Sequence, residues 1–262
     1  MHRGVLFPIL AGLLFAAPGS AQGPGDPPPF IQLVRKPGSA PGFPRPYGEA
    51  RAAVNVIGMT AVTGLPETWT AEFHYSWASI EDLDKGLASV GFRVPAPSGD
   101  LMQDDVLAPA RTMLAAYRPG WSYRADQAIR QFPRARYVQV TVYRIRAGTE
   151  ADFGELIRLR RASAESVNLD RPEMAYSVIS GAPSGTYIFL APVTSLRAMD
   201  NGVADIPAWA EGLADARSKT RAQVAPASEL SREHLLFRVE PRLSYVSDEF
   251  AAPDREFWRP QQ

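Results

Sequence analysis

Glu72 and His74 are the two side chains in this sequence best suited to acid–base chemistry. They lie in a run from Trp69 to Tyr75 in which apolar and polar residues alternate, and this pattern predicts a strand with both side chains on one face. A carboxylate beside an imidazole can accept and release a proton near neutral pH. We therefore expect Glu72 and His74 to be catalytic. The structural alternative is that the two side chains face solvent or satisfy each other's hydrogen bonds.

Further polar and aromatic side chains on predicted strands are candidates for contacting a ligand. Gln32 and Gln139 occupy equivalent positions in two similar strands, although they could instead repeat a structural hydrogen bond. Trp69 could line a cleft, although large aromatic residues are more common in a core. The candidate ligand-binding set is Gln32, Gln139, Thr141, Trp69 and Arg238.

The absence of certain residue types and motifs from the sequence excludes several classes of chemistry. The chain has no cysteine and three histidines, and it contains neither a Gly-x-Ser-x-Gly nucleophile motif nor a phosphate-binding glycine loop. Once an N-terminal signal is removed, only His74 and His234 remain, and neither has a second ligand at metal spacing. Lys plus Arg equals Asp plus Glu at 28 each, so no net charge attracts nucleic acid. We expect no metal, no cofactor and no nucleic-acid partner.

The N-terminus has the pattern of a secretory signal over residues 1–21. A basic start is followed by an apolar run from Val5 to Pro18 and by the small residues Gly19-Ser20-Ala21. The run is shorter than the roughly 20 residues of a membrane helix. We therefore expect a periplasmic or secreted protein without membrane attachment after signal removal. Residues 22–29, rich in Pro and Gly, are predicted to be a disordered lead-in.

A repeated decapeptide indicates that the rest of the chain is duplicated. Residues 79–88 (SIEDLDKGLA) recur as residues 195–204 (SLRAMDNGVA), with Ser, Asp, Gly and Ala retained. The other landmarks repeat in the same order, ending with Ser122-Tyr123 and Ser244-Tyr245. The repeat predicts one unit at 30–130, a second at 131–246 and a C-terminal tail at 247–262. Aligning the halves places Glu72 and His74 opposite Leu190 and Pro192, which predicts a site in one half only.

Within each half the periodicity predicts the order β-α-β-β-α-β. In the second half, Tyr137 to Arg146 alternates as a half-buried strand, and Phe153, Leu156 and Ile157 form the apolar stripe of the following helix. Two strands, Met174 to Ser180 and Thr186 to Pro192, follow a hairpin pattern. This order is the ferredoxin-like unit. The cluster Arg158, Arg160 and Arg161 is expected to be a solvated helix face.

The stretch Tyr137 to Gly148, the helix containing Phe153 and the strand Thr186 to Leu190 together resemble the dimeric α/β-barrel superfamily, which includes antibiotic-biosynthesis-monooxygenase-like and NIPSNAP-like domains. The resemblance implies two ferredoxin-like units that form one barrel, usually from two chains. It also implies small hydrophobic or redox-active ligands in the clefts, and haem in some members. It identifies no catalytic residue.

The expected fold class is therefore α+β, with tandem ferredoxin-like units packing sheet to sheet as an intramolecular α/β barrel. We expect the apolar strand faces to meet helices and the polar faces to meet inside the barrel. The expected function is binding of a small molecule in the barrel cleft, with cofactor-independent oxygenase-like redox chemistry as its extension. The alternatives are a non-catalytic protein-interaction scaffold and a haem-binding barrel. The protein is expected to be a monomer or a homodimer.

Overall fold

The computed structural model describes residues 25–38, 54–82, 111–204 and 228–259, and these contain a closed barrel of eight strands. All neighbouring strands are antiparallel. The strands are β1 (Phe30–Pro37), β2 (Val54–Ala61), β3 (Glu67–His74), β4 (Arg111–Tyr117), β5 (Tyr137–Ile145), β6 (Met174–Ser180), β7 (Thr186–Val193) and β8 (Glu229–Val239). The expected α+β barrel is confirmed.

The strand order around the barrel is β1-β3-β2-β8-β5-β7-β6-β4. The first four strands of the chain are neighbours in the order β4-β1-β3-β2, and the last four are neighbours in the same relative order, β8-β5-β7-β6. The barrel closes where β2 pairs with β8 and where β4 pairs with β6. Both seams are short, since β2 and β8 share three residue pairs, from Met59↔Val239 to Ala61↔Phe237.

The barrel interior is filled with apolar side chains. One core cluster contains fully buried side chains from several of the strands. Among them are Ile31 and Leu33 of β1, Phe73 of β3, Val140 of β5 and Phe237 of β8. The prediction that the polar strand faces meet inside the barrel is therefore wrong. An eight-stranded barrel is just wide enough for side chains to fill it, so the apolar faces turn inward and the polar faces turn toward the surrounding helices and loops.

Helices and turns cover the outside and the ends of the barrel. The helices are α1 (Ala125–Gln131), α2 (Glu150–Ser166), α3 (Leu196–Ala204), α4 (Asp248–Ala251) and α5 (Arg255–Trp258), with 3-10 turns at Pro119–Trp121, Phe132–Arg134, Pro241–Leu243 and Ala252–Asp254. The predicted apolar stripe of α2 packs on the outward side chains Tyr143 and Phe189, which form a second cluster. The predicted helical stretches at 101–110 and 207–225 lie outside the described residues.

The repeated Ser-Tyr pairs make the same contacts in the two halves. The backbone of Tyr123 pairs with Glu173 and that of Tyr245 pairs with Val56, each through two hydrogen bonds. The Ser122 hydroxyl accepts a hydrogen bond from the backbone N–H of Ala175, two residues beyond Glu173. The Ser244 hydroxyl accepts one from the N–H of Gly58, two residues beyond Val56. Each pair therefore ties the chain that leaves one strand to the outer face of another.

The two terminal segments pack more closely than the sequence indicates. Pro27 and Pro28, in the lead-in predicted to be disordered, are buried, and the carbonyl of Pro29 accepts a hydrogen bond from the Tyr117 N–H. Ordering proline costs little conformational entropy, so a few contacts can fix such a segment. In the C-terminal tail, the Trp258 ring is buried and its Nε1–H donates to the Pro133 carbonyl at 2.6 Å.

Candidate ligand site

A cavity of about 90 Å³ lies between α2 and the outer faces of β5, β7 and β8 in the second half of the chain. Most of its lining is polar or charged, whereas one wall is apolar. The lining residues are Gln139, Thr141, Arg160, Arg171, Glu173, Phe189, Ala191 and His234. Among the described residues, this is where cationic, amide, hydroxyl and imidazole groups converge.

Strand alternation places three of these side chains together. Gln139 and Thr141 lie on the outward face of β5 because Val138 and Val140 between them point into the barrel. Thr141 is directly opposite His234 of β8 in the antiparallel register, and its Oγ1 lies 3.1 Å from His234 Nδ1. This hydrogen bond orients the imidazole ring relative to the cavity.

Arg160 extends from α2 into the cavity and is held by two hydrogen bonds. Its Nη1 donates to the Tyr143 hydroxyl at 3.1 Å and its Nη2 donates to Glu173 Oε2 at 2.9 Å. Burial alone would lower the pKa of this guanidinium, but the adjacent Glu173 carboxylate and Tyr143 outweigh burial and raise the pKa. Arg160 is therefore a fixed positive charge within the cavity wall.

Arg171 is a second positive charge in the same cavity, and it differs from Arg160 in its partners. Within the described part of the chain, its guanidinium makes no hydrogen bond and no ion pair, and the Gln139 amide is also without a hydrogen bond. Burial and the neighbouring Arg160 charge lower the pKa of Arg171. Arginine still remains protonated at physiological pH. The cavity wall therefore contains a guanidinium whose N–H donors are not used by other described residues.

His234 lies at the exposed rim of the cavity, where its surroundings favour the neutral form of its imidazole. Partial burial lowers the pKa of its imidazole below the ordinary 6.5, and the positive charges of Arg232, Arg160 and Arg171 lower it further. Its Nε2 has no hydrogen bond within the described residues, so the ring presents a free nitrogen. A neutral imidazole beside two guanidinium groups can accept a proton from a ligand that those groups hold as an anion.

The predicted catalytic pair lies elsewhere, on the outer face of β3. Glu72 and His74 are 4% and 5% exposed, and His74 Nε2 is 3.5 Å from Glu72 Oε2. The His74 ring stacks on Trp77 with a centroid separation of 3.5 Å and an interplanar angle of 6°. Gln32 pairs with Glu72 across β1 and β3. The structure thus brings Gln32, Glu72 and His74 to one outer face and Gln139 and Thr141 to the other.

The remaining two predicted ligand-binding residues lie away from both places. Trp69 is 0% exposed inside the barrel, with its ring 5.2 Å from that of Phe237 and the Arg35 guanidinium 5.3 Å from its centroid. Arg238 is exposed and pairs with Glu240 at 2.7 Å. It follows His234 by four residues on the same strand, which separates the two by about 13 Å.

The strand register corrects the expected correspondence between the halves. Gln32 of β1 pairs with Glu72, and the equivalent Gln139 of β5 pairs with Ala191. In the same way Phe30 pairs with His74 and Tyr137 pairs with Val193. Glu72 and His74 therefore correspond to Ala191 and Val193, not to Leu190 and Pro192. The sequence alignment of the two halves is therefore shifted by one residue in this strand, and a shift of one residue moves a side chain to the other face of a strand.

Three charged cavity residues were not identified from the sequence. Arg160 was expected on a solvated helix face, yet it follows Phe153 by seven residues, Leu156 by four and Ile157 by three, which places it on the buried stripe of α2. That spacing is a signal that the sequence contained. Arg171 and Glu173 lie in and beside the loop before β6, and no periodicity links them to α2 or β5.

Comparison with known proteins yields structural likeness without sequence likeness. No family model and no curated protein matches the chain. An anthrone oxidase-like protein is 13% identical with a TM-score of 0.46, over 80% of this chain and 91% of that one. A mutant chlorite dismutase from Candidatus Nitrospira defluvii is 10% identical with a TM-score of 0.45, over 89% of this chain and 99% of that one. The site is therefore interpreted from its own geometry.

Two structural features are absent from the described residues. None of their helices has the length and apolar character needed to cross a lipid bilayer. None of their His, Asp or Glu side chains form a group of three or more that could hold a metal ion.

Proposed function

We propose that this protein binds a small molecule with an anionic group in the cavity beneath α2. The observation that carries the proposal is the Arg171 guanidinium, which lines the cavity without a hydrogen bond or ion pair within the described residues. Guanidinium groups bind carboxylates through paired, charge-assisted hydrogen bonds. Arg160 lies close enough to lower the pKa of Arg171, so the two positive charges act on the same volume.

The size and walls of the cavity limit the ligand. A volume of about 90 Å³ is enough for several water molecules or for a small carboxylic acid. Phe189 and Ala191 supply an apolar surface beside the charged groups. A carboxylate with a short acyl or aryl part therefore matches the site best.

The neutral His234 gives the site an acid–base group. A ligand bound through its carboxylate would present an acidic C–H or O–H bond to the free imidazole nitrogen, and the two arginines would stabilise the resulting negative charge. The oxygenase-like chemistry implied by the family resemblance would start from such an electron-rich anion, formed at a CH2 group. Dioxygen would oxidise the anion and form a C–O bond as a peroxide, the protonated His234 would return its proton to that peroxide, and loss of water would leave a carbonyl group. Oxygen consumption by the purified protein, measured with a panel of phenolic acids, tests this extension separately from binding.

Calorimetric titration of the mature protein with benzoate tests the binding proposal. The wild type is expected to bind and Arg171→Gln to lose affinity by about ten- to a hundredfold, the range for a charge-assisted hydrogen bond. Arg158→Gln is the matched control, since Arg158 is an exposed arginine of α2 that pairs with Glu155 outside the cavity. Equal affinity in all three proteins, or no binding to the wild type, would refute the proposal. If the wild type does not bind benzoate but does bind another protein, the scaffold alternative would be favoured.

Haem, the cofactor of some members of the resembled superfamily, does not fit this cavity. Pockets for drug-sized ligands start at roughly 300 Å³, well above the volume beneath α2. The two guanidinium groups and the Glu173 carboxylate would also face the apolar surface of a macrocycle. A Soret band after addition of haem would show that it binds elsewhere on the chain.

A specific observation favours Glu72 and His74 as a second site. Six buried side-chain nitrogen or oxygen atoms in the described residues have no hydrogen-bond partner, and three of them lie on the outer face of β3, namely Thr70 Oγ1 and both ring nitrogens of His74. Buried polar atoms without partners are rare in native proteins and often mark functional groups. We retain Glu72 and His74 as a proposed acid–base pair. Glu72→Gln and His74→Gln should then reduce turnover without changing benzoate affinity.

Two proposals about origin and location accompany the proposed function. The matching contacts of Ser122-Tyr123 and Ser244-Tyr245 support a tandem duplication of ferredoxin-like units, which separate expression of residues 30–130 and 131–246 would test through their association into a barrel. The N-terminal pattern supports export, with Gln22 as the first mature residue. N-terminal sequencing of the protein recovered from cells would test this.

A further inference from the structure

We infer that the cavity selects ligands with a single negative charge and that Glu173 enforces this selection. The inference rests on the proposed function, because it concerns the same cavity and narrows its ligand class from anions to monoanions. Glu173 is the acidic residue among the groups that line the cavity, and it binds one of the two arginines there.

The charges around the cavity add up to one excess positive charge. Arg160 and Arg171 line the cavity as protonated guanidinium groups, and Glu173 is the counter-ion of Arg160. The neighbouring arginines favour the neutral form of His234. On β8, Arg232 also influences His234, but its Nε lies 3.7 Å from Glu229 Oε2, so this pair contributes little net charge. A monoanion therefore neutralises the site.

Glu173 cannot easily move away from an incoming ligand. It is 8% exposed, and its backbone makes two hydrogen bonds with Tyr123, N–H to carbonyl in each direction at 2.8 and 3.0 Å. Its Oε2 accepts from Arg160 Nη2 at 2.9 Å. The carboxylate is therefore held at the cavity wall by the strand-like pairing of its own backbone and by the arginine.

A dianion would meet two unfavourable terms in this cavity. Its second charge would have no partner, and a partly buried charge without a partner loses hydration without compensation. That charge would also be repelled by the fixed Glu173 carboxylate across a short distance in a medium less polar than water. Removal of the Glu173 charge would relieve the repulsion and leave the Arg160 charge without its counter-ion.

The test compares benzoate with phthalate, which adds one carboxylate to the same ring. The wild type should bind benzoate at least about tenfold more tightly than phthalate, and Glu173→Gln should reduce this ratio to about one or invert it. Gln keeps an acceptor for Arg160, so the variant changes charge more than shape. Glu165→Gln is the control, because Glu165 is an exposed carboxylate on α2 that pairs with Arg161 outside the cavity.

The outcomes separate this inference from the proposed function. A wild type that binds both compounds equally, or phthalate more tightly, would overturn the role of Glu173 while leaving anion binding intact. A ratio that changes equally in Glu165→Gln and Glu173→Gln would also overturn it, because the effect would then come from overall charge. Because phthalate is also bulkier than benzoate, a smaller pair separates the effect of size from that of charge. The wild type must likewise bind acetate more tightly than malonate. Absence of binding by all four anions would refute the proposed function itself.

Discussion

The outer faces of the two half-barrels have the same strand order but opposite polar character. In the second half, Arg160 and Arg171 make a cavity with an excess positive charge. In the first half, the corresponding face carries the buried Glu72 and His74, with the imidazole stacked on Trp77. One framework thus presents a cation-lined site on one side and a carboxylate–imidazole pair on the other.

The difference shows which parts of such a barrel can diverge. Interior positions are restricted by packing, since buried apolar side chains fill the inside of this barrel. Outward positions meet helices and loops, so their chemistry can change without loss of the barrel. At one pair of equivalent positions, Glu72 and Ala191, a buried carboxylate stands where the other half has a methyl group beside the cavity.

The largest effect on stability is expected from Gly58→Ala, which overpacks the contact between β2 of the first half and the 3-10 turn Pro241–Leu243. A Cβ atom at Gly58 would lie 2.4 Å from Leu243 Cβ and 2.6 Å from the Leu243 carbonyl oxygen. Relief of that overlap should cost about 3 kcal/mol of unfolding free energy, because two of the three overlapping Leu243 atoms belong to the backbone and cannot rotate away. Urea denaturation measures it. The equivalent residue of the second half is already Ala175, whose replacement by Gly creates no overlap; equal losses from both variants would contradict the account.

The next largest effect is expected on ligand affinity in the second half. Arg171→Gln should weaken benzoate binding by about ten- to a hundredfold, or about 1.4–2.8 kcal/mol, because one charge-assisted interaction is lost. Gly58→Ala should leave benzoate binding unchanged in the protein that remains folded, as measured by calorimetry. A large affinity loss in Gly58→Ala would show that the two outer faces do not act independently.

A smaller effect is expected from His74→Leu in the first half. Neither ring nitrogen of the buried imidazole has a hydrogen bond in the described residues, and its Nε2 meets Glu72 Oε2 only at 3.5 Å. Its replacement by an apolar side chain therefore removes a desolvation cost as well as that contact and the Trp77 stack. Unfolding free energy should therefore change by less than about 1 kcal/mol. A loss of several kcal/mol in urea denaturation would show that His74 has a structural partner and would argue against the second site.

The smallest effect is expected in the titration of His234, followed by NMR of its ring protons with His74→Leu as the assignment control. Its pKa should lie below 6.5 in the free protein and rise when benzoate adds a negative charge or when Arg171→Gln removes a positive one. Since the folded-state pKa is lowered, the contribution of neutral His234 to stability is complete above pH 6.5 and declines as the pH falls toward the folded-state pKa. A pKa above 6.5 in the free protein would contradict this.

The sequence predicted the barrel better than it predicted the site. Alternation and turn residues placed β6 and β7 within one residue of their observed bounds, because strand periodicity reports local burial. Alternation alone does not say which face is inside, and the apolar face was assigned to the helices in error. Arg171 could not be found, since only the tertiary arrangement brings that loop residue beside α2 and β5.

The central claim is that the second half-barrel binds anions and the first does not, and chemical-shift mapping of the mature protein during a benzoate titration tests it most directly. The account predicts progressive, saturable shifts of Gln139, Thr141, Arg171 and His234, with Glu72 and His74 unchanged. Saturable shifts confined to Glu72 and His74, or an absence of shifts at His234 when the ligand is bound, would contradict it.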